Sequence, residues 1–313
     1  MRMMRVVALS IVFVFVTVAG CSGARRQAER YCFDGMECLH ENDLAGATSC
    51  FRKALELSPR FAAPYVGLGK VSLRDYNYEK AEEHFGKALS LDPRIADALS
   101  GRGEARLRLE KYSDAIDDFS AALAIDPNRV SALSGRGYAY ARSDMFEEAL
   151  VDLDRCIAVE PTKSYNYVNR GMLRQKLQEY AEGLEDLTKA IELEPLNPMN
   201  YAVRGRIYED SGDWVASLAD FDRALEIDPQ CFTAHKYRAL HFKNIGDWEN
   251  ALMGFSRAIE IDPNAVEVYF ERAGALEQLG RTEEAEADFA KVDELDPSFR
   301  NFKSSVPVSP VNE

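Results

Sequence analysis

Six arginines recur at one fixed interval: Arg102, Arg136, Arg170, Arg204, Arg238 and Arg272. Sixteen positions after five of them comes an acid, Asp118, Asp152, Asp186, Asp220 or Asp288; after Arg238 the same place holds Gly254. A guanidinium and a carboxylate at fixed spacing suit bidentate ion pairing. Such pairs fix register between similar segments, though each is worth only about 0–1 kcal/mol if exposed. A second basic series, Arg74, Arg108, Arg142 and Lys176, keeps the same interval. Reaction chemistry is harder to find. The four histidines, His40, His84, His235 and His241, form no i,i+4 pair and no His-Glu-x-x-His run, so no metal site is expected. Ser100–Gly103 and Ser134–Gly137 share the pattern Ser-Gly-Arg-Gly and briefly look like phosphate-cradling loops. They are separated by the arginine interval and fall in helical stretches, so they read as one packing motif copied twice. No nucleophile elbow, Walker motif or paired-acid signature stands out. The expectation is a protein that is not an enzyme and needs no cofactor.

The interval that orders the arginines also orders the prolines. Pro59, Pro93, Pro127, Pro161, Pro195, Pro229, Pro263 and Pro297 each stand thirty-four positions after the last. A fixed period of this size marks a stacked repeat protein. Upstream of each proline lies a helical stretch whose apolar residues follow a three-four spacing, as in Ala115, Ile116, Phe119, Ala122 and Leu123. Proline then stops the helix, because it lacks an N–H and biases its predecessor away from helical angles. A second helical stretch and a short turn, such as Ser211–Trp214, precede it. Counting from Ala28 gives eight repeats, 28–61, 62–95, 96–129, 130–163, 164–197, 198–231, 232–265 and 266–299. Place 8 is Gly or Ala in all of them, place 20 is small, and place 24 is Phe or Leu. Small residues let two helices approach and a large one fills the gap beside them.

This pattern resembles the tetratricopeptide repeat, a thirty-four-residue helix–turn–helix with small residues at places 8, 20 and 27 and proline at 32. The resemblance covers residues 28–299. It implies an all-α, right-handed superhelical solenoid whose inner groove is lined by the first helix of each repeat. It also places residues 7 and 23 face to face, so Arg102–Asp118, Arg136–Asp152, Arg170–Asp186, Arg204–Asp220 and Arg272–Asp288 are expected as structural ion pairs. Places 2, 5, 9, 12 and 13 belong to the groove in that family. The basic series at place 13 would then line it, with Lys70, Ser100, Glu104, Ser134, Tyr138 and Met172 completing a partner-binding surface. Gly67, Gly101 and Gly135 occupy place 6, where glycine costs about 1 kcal/mol relative to alanine. Close approach of a ligand backbone would offset that cost; copying by duplication is the alternative. A basic residue at place 13 also suits a helix C-terminus. Neither the Lys/Asn pattern of chaperone-tail clamps nor the asparagine ladder of sugar-transferase arrays is reproduced.

The chain opens with Arg2 and Arg5, an apolar run of thirteen residues from Val6 to Val18, and then Ala19-Gly20-Cys21. The run is short for a membrane span and suits a signal-peptide core. It looks like a bacterial lipobox, which implies a signal peptide over 1–20 and a lipid on Cys21. Two or three acyl chains there would hold the protein firmly on a membrane. Ser22, where an Asp would favour the inner membrane, leans towards the outer one. Residues 21–27 would be a short linker, and residues 300–313 a C-terminal tail. The net charge of −14, more negative still without Arg2 and Arg5, argues against nucleic acid as a partner. Cys32, Cys38 and Cys50 cluster in the first repeat at spacings that fit no common metal pattern. Cys50 could bridge to Cys32 or Cys38 in an oxidising envelope. Cys156 holds a small-residue packing place. The expected role is an envelope-anchored scaffold that binds a protein partner, in an extended segment, through the groove. An anionic envelope polymer, or self-association as a homodimer, is the alternative.

Overall fold

The computed structural model describes residues 23–299. Among them are sixteen α-helices and no strands. Cys21, where a lipid is expected, the apolar run before it and residues 300–313 lie outside the described residues. No helix among those described is long and apolar enough to cross a membrane.

The helices come in antiparallel pairs. The first of each pair are α1 Gly23–His40, α3 Ala62–Arg74, α5 Ala96–Arg108, α7 Val130–Arg142, α9 Ser164–Lys176, α11 Pro198–Ser211, α13 Phe232–Asn244 and α15 Val266–Gln278. The second are α2 Leu44–Leu57, α4 Tyr78–Leu91, α6 Tyr112–Ile125, α8 Phe146–Val159, α10 Tyr180–Leu193, α12 Trp214–Ile227, α14 Trp248–Ile261 and α16 Thr282–Leu295. The chain forms two compact units, residues up to Gly135 and residues from Arg136 onward. Within each unit, pairs stack in chain order, with α3, α5, α9, α11, α13 and α15 each lying against the second helix before it.

The sequence carries the instructions for each corner. The turn between paired helices needs one residue with positive φ, filled by Gly212, Gly246 and Gly280 late in the chain and by Asn42, Tyr76, Glu110, Asp144 and Gln178 earlier. Asp43, Asn77, Asp213 and Asp247 then cap the second helix, each side chain accepting from a backbone N–H three residues on. At the other end, Asp92, Asp126, Asp228, Asp262 and Asp296 accept from the N–H two residues ahead. This turn explains why an acid so often precedes the register proline.

The first helices α9 and α11 also bond back to the end of the repeat before them. Tyr167 and Tyr201 donate their hydroxyls to the carbonyls of Pro161 and Pro195, both at 3.1 Å. The buried amides of Asn166 and Asn200 donate to the carbonyls of Cys156 and Ala190, at 3.3 and 3.1 Å. The Cys156 and Ala190 carbonyls, near the ends of α8 and α10, also accept from the N–H of Glu160 and Glu194, so each amide adds a second bond there, while the Pro161 and Pro195 carbonyls belong to the turns beyond. After the last helix, Phe299 stacks edge-on against Phe270 with ring centres 5.8 Å apart.

Candidate functional site

The five arginine–aspartate pairs all meet. Each is bidentate through Nε and Nη2, with distances from 2.5 to 2.9 Å. The aspartate side chains are at most 9% exposed. Their burial makes these pairs a different case from the exposed bridges considered above: removing one partner strands a buried charge. The arginines also reach back to the preceding repeat. Arg170 donates to Asp154, Arg204 to Thr188 and Arg272 to Ser256. Arg238, which faces Gly254 in its own repeat, pairs instead with Asp222 at 2.9 Å. Arg106 and Arg174 add a second guanidinium to Asp118 and Asp186.

The place-6 glycines answer to packing, not to a ligand. A Cβ on Gly67, Gly101 or Gly135 would come closer than 3.0 Å to the ring of Phe51, Phe85 or Phe119 respectively. Each ring belongs to the preceding repeat and is buried. The same rings crowd Gly35, Gly69 and Gly103 of their own repeats. Phe51, Phe85 and Phe119 are thus each wedged between two glycines on successive first helices, whereas Phe221 and Phe255 are followed at that place by Tyr237 and Glu271. Where place 24 is Leu153 or Leu187, the next repeat carries Asn169 or Val203 instead of glycine. The expectation that ligand approach offsets these glycines is therefore overturned.

Several residues assigned to the groove already have partners. In the first compact unit, Lys70 pairs with Asp97 at 2.7 Å, and Arg129 reaches the other oxygen of Asp97. Arg74 donates to the carbonyl of Leu39 and so caps the end of α1. Ser100 is buried, with no hydrogen-bond partner for its hydroxyl among protein atoms. Ser134 is half-buried, and Glu104 and Arg108 are exposed. In the second unit, Lys176 lies 3.2 Å from Asp144 and over the ring of Phe146. Arg142 is exposed.

Tyr138 and Met172 have a different character. They are 53% and 48% exposed, and Tyr165 and Met199 beside them in the register are 45% and 43% exposed. Tyr138 and Met172 hold place 9 of their repeats, and Tyr165 and Met199 hold place 2 of the repeats that follow. The Lys70–Asp97 contact joins the same two places, from place 9 of one repeat to place 2 of the next. The second unit therefore carries large apolar side chains in solvent at successive groove places of α7, α9 and α11. Burying such side chains is worth about 1.5–3 kcal/mol each.

The sequence reading missed a cavity of about 330 Å³ farther along the same unit. It is lined by Arg206, Lys236, Tyr237, Leu240, Glu267, Val268 and Glu271, from α11, α13 and α15. Groove places 2, 5 and 9 were the available signal, occupied here by Glu267, Lys236 and Leu240. The charges are balanced: Lys236 meets Glu267 at 2.8 Å, Lys243 meets Glu271 at 2.5 Å, and Arg206 meets Asp210 at 2.9 Å. On α11, the buried carboxylate of Glu209 accepts from His241, Asn244 and Ser217. Burial raises the pKa of that carboxyl, but the hydrogen bonds outweigh it and hold the group below its ordinary value.

Paired helices at a constant period, closed by proline and welded by small-against-large packing, define a helical repeat protein made to present surface. Tetratricopeptide repeat models match residues 67–130, 101–155 and 168–230, and another matches 255–287. Together they cover more than half of the chain, which belongs to the tetratricopeptide repeat family. No curated protein sequence matches it. Among solved structures, a tetratricopeptide repeat protein from Parabacteroides merdae ATCC 43184 is similar at 18% identity and a TM-score of 0.68, over 80% of this chain and 99% of that one. PilW, a widely conserved type IV pilus biogenesis factor, is similar at 20% identity and a TM-score of 0.61, over 64% and 94%. YrrB, a tetratricopeptide repeat protein with an unusual peptide-binding site, is similar at 24% identity and a TM-score of 0.50, over 62% and 97%. These likenesses establish the shared fold.

Proposed function

We propose that this protein is a lipid-anchored scaffold of the bacterial envelope, binding an extended segment of a protein partner along the first helices of its second compact unit. The observation that carries the reading is the exposed series Tyr138, Tyr165, Met172 and Met199 at successive groove places. Methionine and tyrosine adapt to varied apolar side chains, which suits peptide recognition. The family supports a protein-interaction role, and YrrB and PilW show that the fold serves peptide binding and pilus biogenesis elsewhere. The anchor rests on Cys21 and the apolar run before it. An anionic polymer is the weaker ligand, because Lys70, Lys176, Lys236 and Lys243 are already matched by carboxylates.

Photo-crosslinking residues placed at Tyr138 and Met172, with Val151 as an exposed control, test the reading in native envelopes. One protein adduct at both groove positions and none at Val151 is expected. Adducts only between copies of the chain, or only at Val151, would overturn it. Cys21→Ser should release the protein from the membrane fraction and abolish acyl labelling; continued labelling would refute the anchor.

A further inference from the structure

We propose that α1 is a docking face for a second copy of this chain, the two helices meeting antiparallel about Phe33. The argument begins with what covers the first helices of later repeats. Places 3, 6 and 10 turn towards the repeat before. Val268 shares its core with Phe255, Gly67 lies against the ring of Phe51, and Leu173 packs with Leu153. At places 3 and 10 every later repeat buries its residue. No described helix precedes α1. The first repeat carries Arg30, Phe33 and Glu37 at those three places, all of them exposed, Phe33 to 60%. An array end needs a polar outer face, which accounts for Arg30 and Glu37 but not for the phenylalanine between them.

The uncovered stripe is self-complementary. Arg26, Arg30, Phe33 and Glu37 follow a four-three-four spacing and so share one face of α1. A two-fold contact sets one residue against a second and that second against the first. With the axis beside Phe33, one copy's Arg30 faces the partner's Glu37, the reverse pair forms on the other side, and the two Phe33 rings meet between them. The same axis brings Arg26 towards Glu41, exposed in the turn after α1, because the two pairs share one midpoint in the sequence. Arg25 and Glu29, beside the stripe, already pair with each other at 3.0 Å.

A parallel arrangement would set arginine on arginine and glutamate on glutamate, which repels. A bilayer would suit the two arginines and the ring but not Glu37 on the same stripe. A second α1 matches every charge there, and it supplies the helix that covers this face in later repeats. One helix face per copy is a small interface, of the weak class below about 1,200 Å². The dimer is therefore concentration-dependent, and its charges fix register more than they add affinity. Nothing in this pairing depends on the lipid anchor.

The test places a photo-crosslinking residue at Phe33 of the full chain in intact cells and maps adducts by mass. The expected product joins two copies, α1 to α1. Arg30→Glu and Glu37→Arg should each lower its yield severalfold, and the two changes combined in one chain should restore it. Differently tagged copies sharpen the reading. Arg30→Glu chains and Glu37→Arg chains each repel themselves but match one another, so mixed dimers should exceed either self-dimer. The altered residues are exposed, so thermal melting should stay at the parent value. The adduct of the parent chain judges the pairing even if a variant folds poorly. Adducts to lipid or to a different protein, no chain-to-chain adduct, or a combined swap that restores nothing would overturn the proposal.

Discussion

His241 Nδ1–H donates to Glu209 Oε2 at 2.7 Å, with both side chains buried, and so ties α13 to α11 across a repeat boundary. Asn244 and Ser217 donate to the same carboxylate. Four polar groups from three helices thereby satisfy each other in a place where any one alone would be costly.

The depressed pKa of Glu209 sets an acid limit. Its contribution is fully present above the ordinary carboxylate range of about 4.3 and is lost as pH falls through the lower folded value. Denaturant titrations from neutral pH down to the acid range should show this loss, and Glu209→Gln should flatten it. Glu209→Ala, measured at neutral pH, should cost about 3–5 kcal/mol by leaving its partners unpaired.

Arginine deletions should differ according to the backup each aspartate retains. Arg204→Ala leaves buried Asp220 without its bidentate partner and should cost about 3–5 kcal/mol. Arg170→Ala leaves Arg174 at 2.9 Å from Asp186 and should cost clearly less. Urea unfolding of the two variants, side by side, measures the difference.

Gly101→Ala should destabilise by about 1–3 kcal/mol, because the new methyl group drives into the Phe85 ring. Phe85→Leu should recover much of that loss when the two changes are combined. A double-mutant cycle reads the coupling, which should be favourable; additivity would mean that the ring and the glycine do not interact.

Tyr76 sits in the left-handed region at φ 57° with its side chain 78% exposed. Tyr76→Gly relieves a strain of about 1–2 kcal/mol while returning part of it as chain entropy. A net gain of about 0.5–1 kcal/mol in thermal melting is expected.

Much of this architecture could be read from the chain alone. The prolines and the three-four apolar spacing place the helices, and antiparallel pairing then brings each arginine to the aspartate sixteen positions on. What stayed hidden depended on side chains one repeat away. The demand for glycine at Gly101 is made by the ring of Phe85, and the neutralisation of Lys70 by the carboxylate of Asp97. The burial of Asp152 and its fellows is likewise invisible in a row of charges. The cavity of α11, α13 and α15 is lined by paired lysines and glutamates, which in sequence look like any solvated face.

The bonds described at the ends of α8 and α10 all point one way. Asn166, Tyr167 and Arg170 reach back to groups in the preceding repeat, at Cys156, Pro161 and Asp154. A chain leaving the ribosome would therefore finish each repeat only when the next one emerges. Synthesis and folding would advance in step, the newest repeat always lacking its set of contacts from the one to come, until Phe299 settles on Phe270.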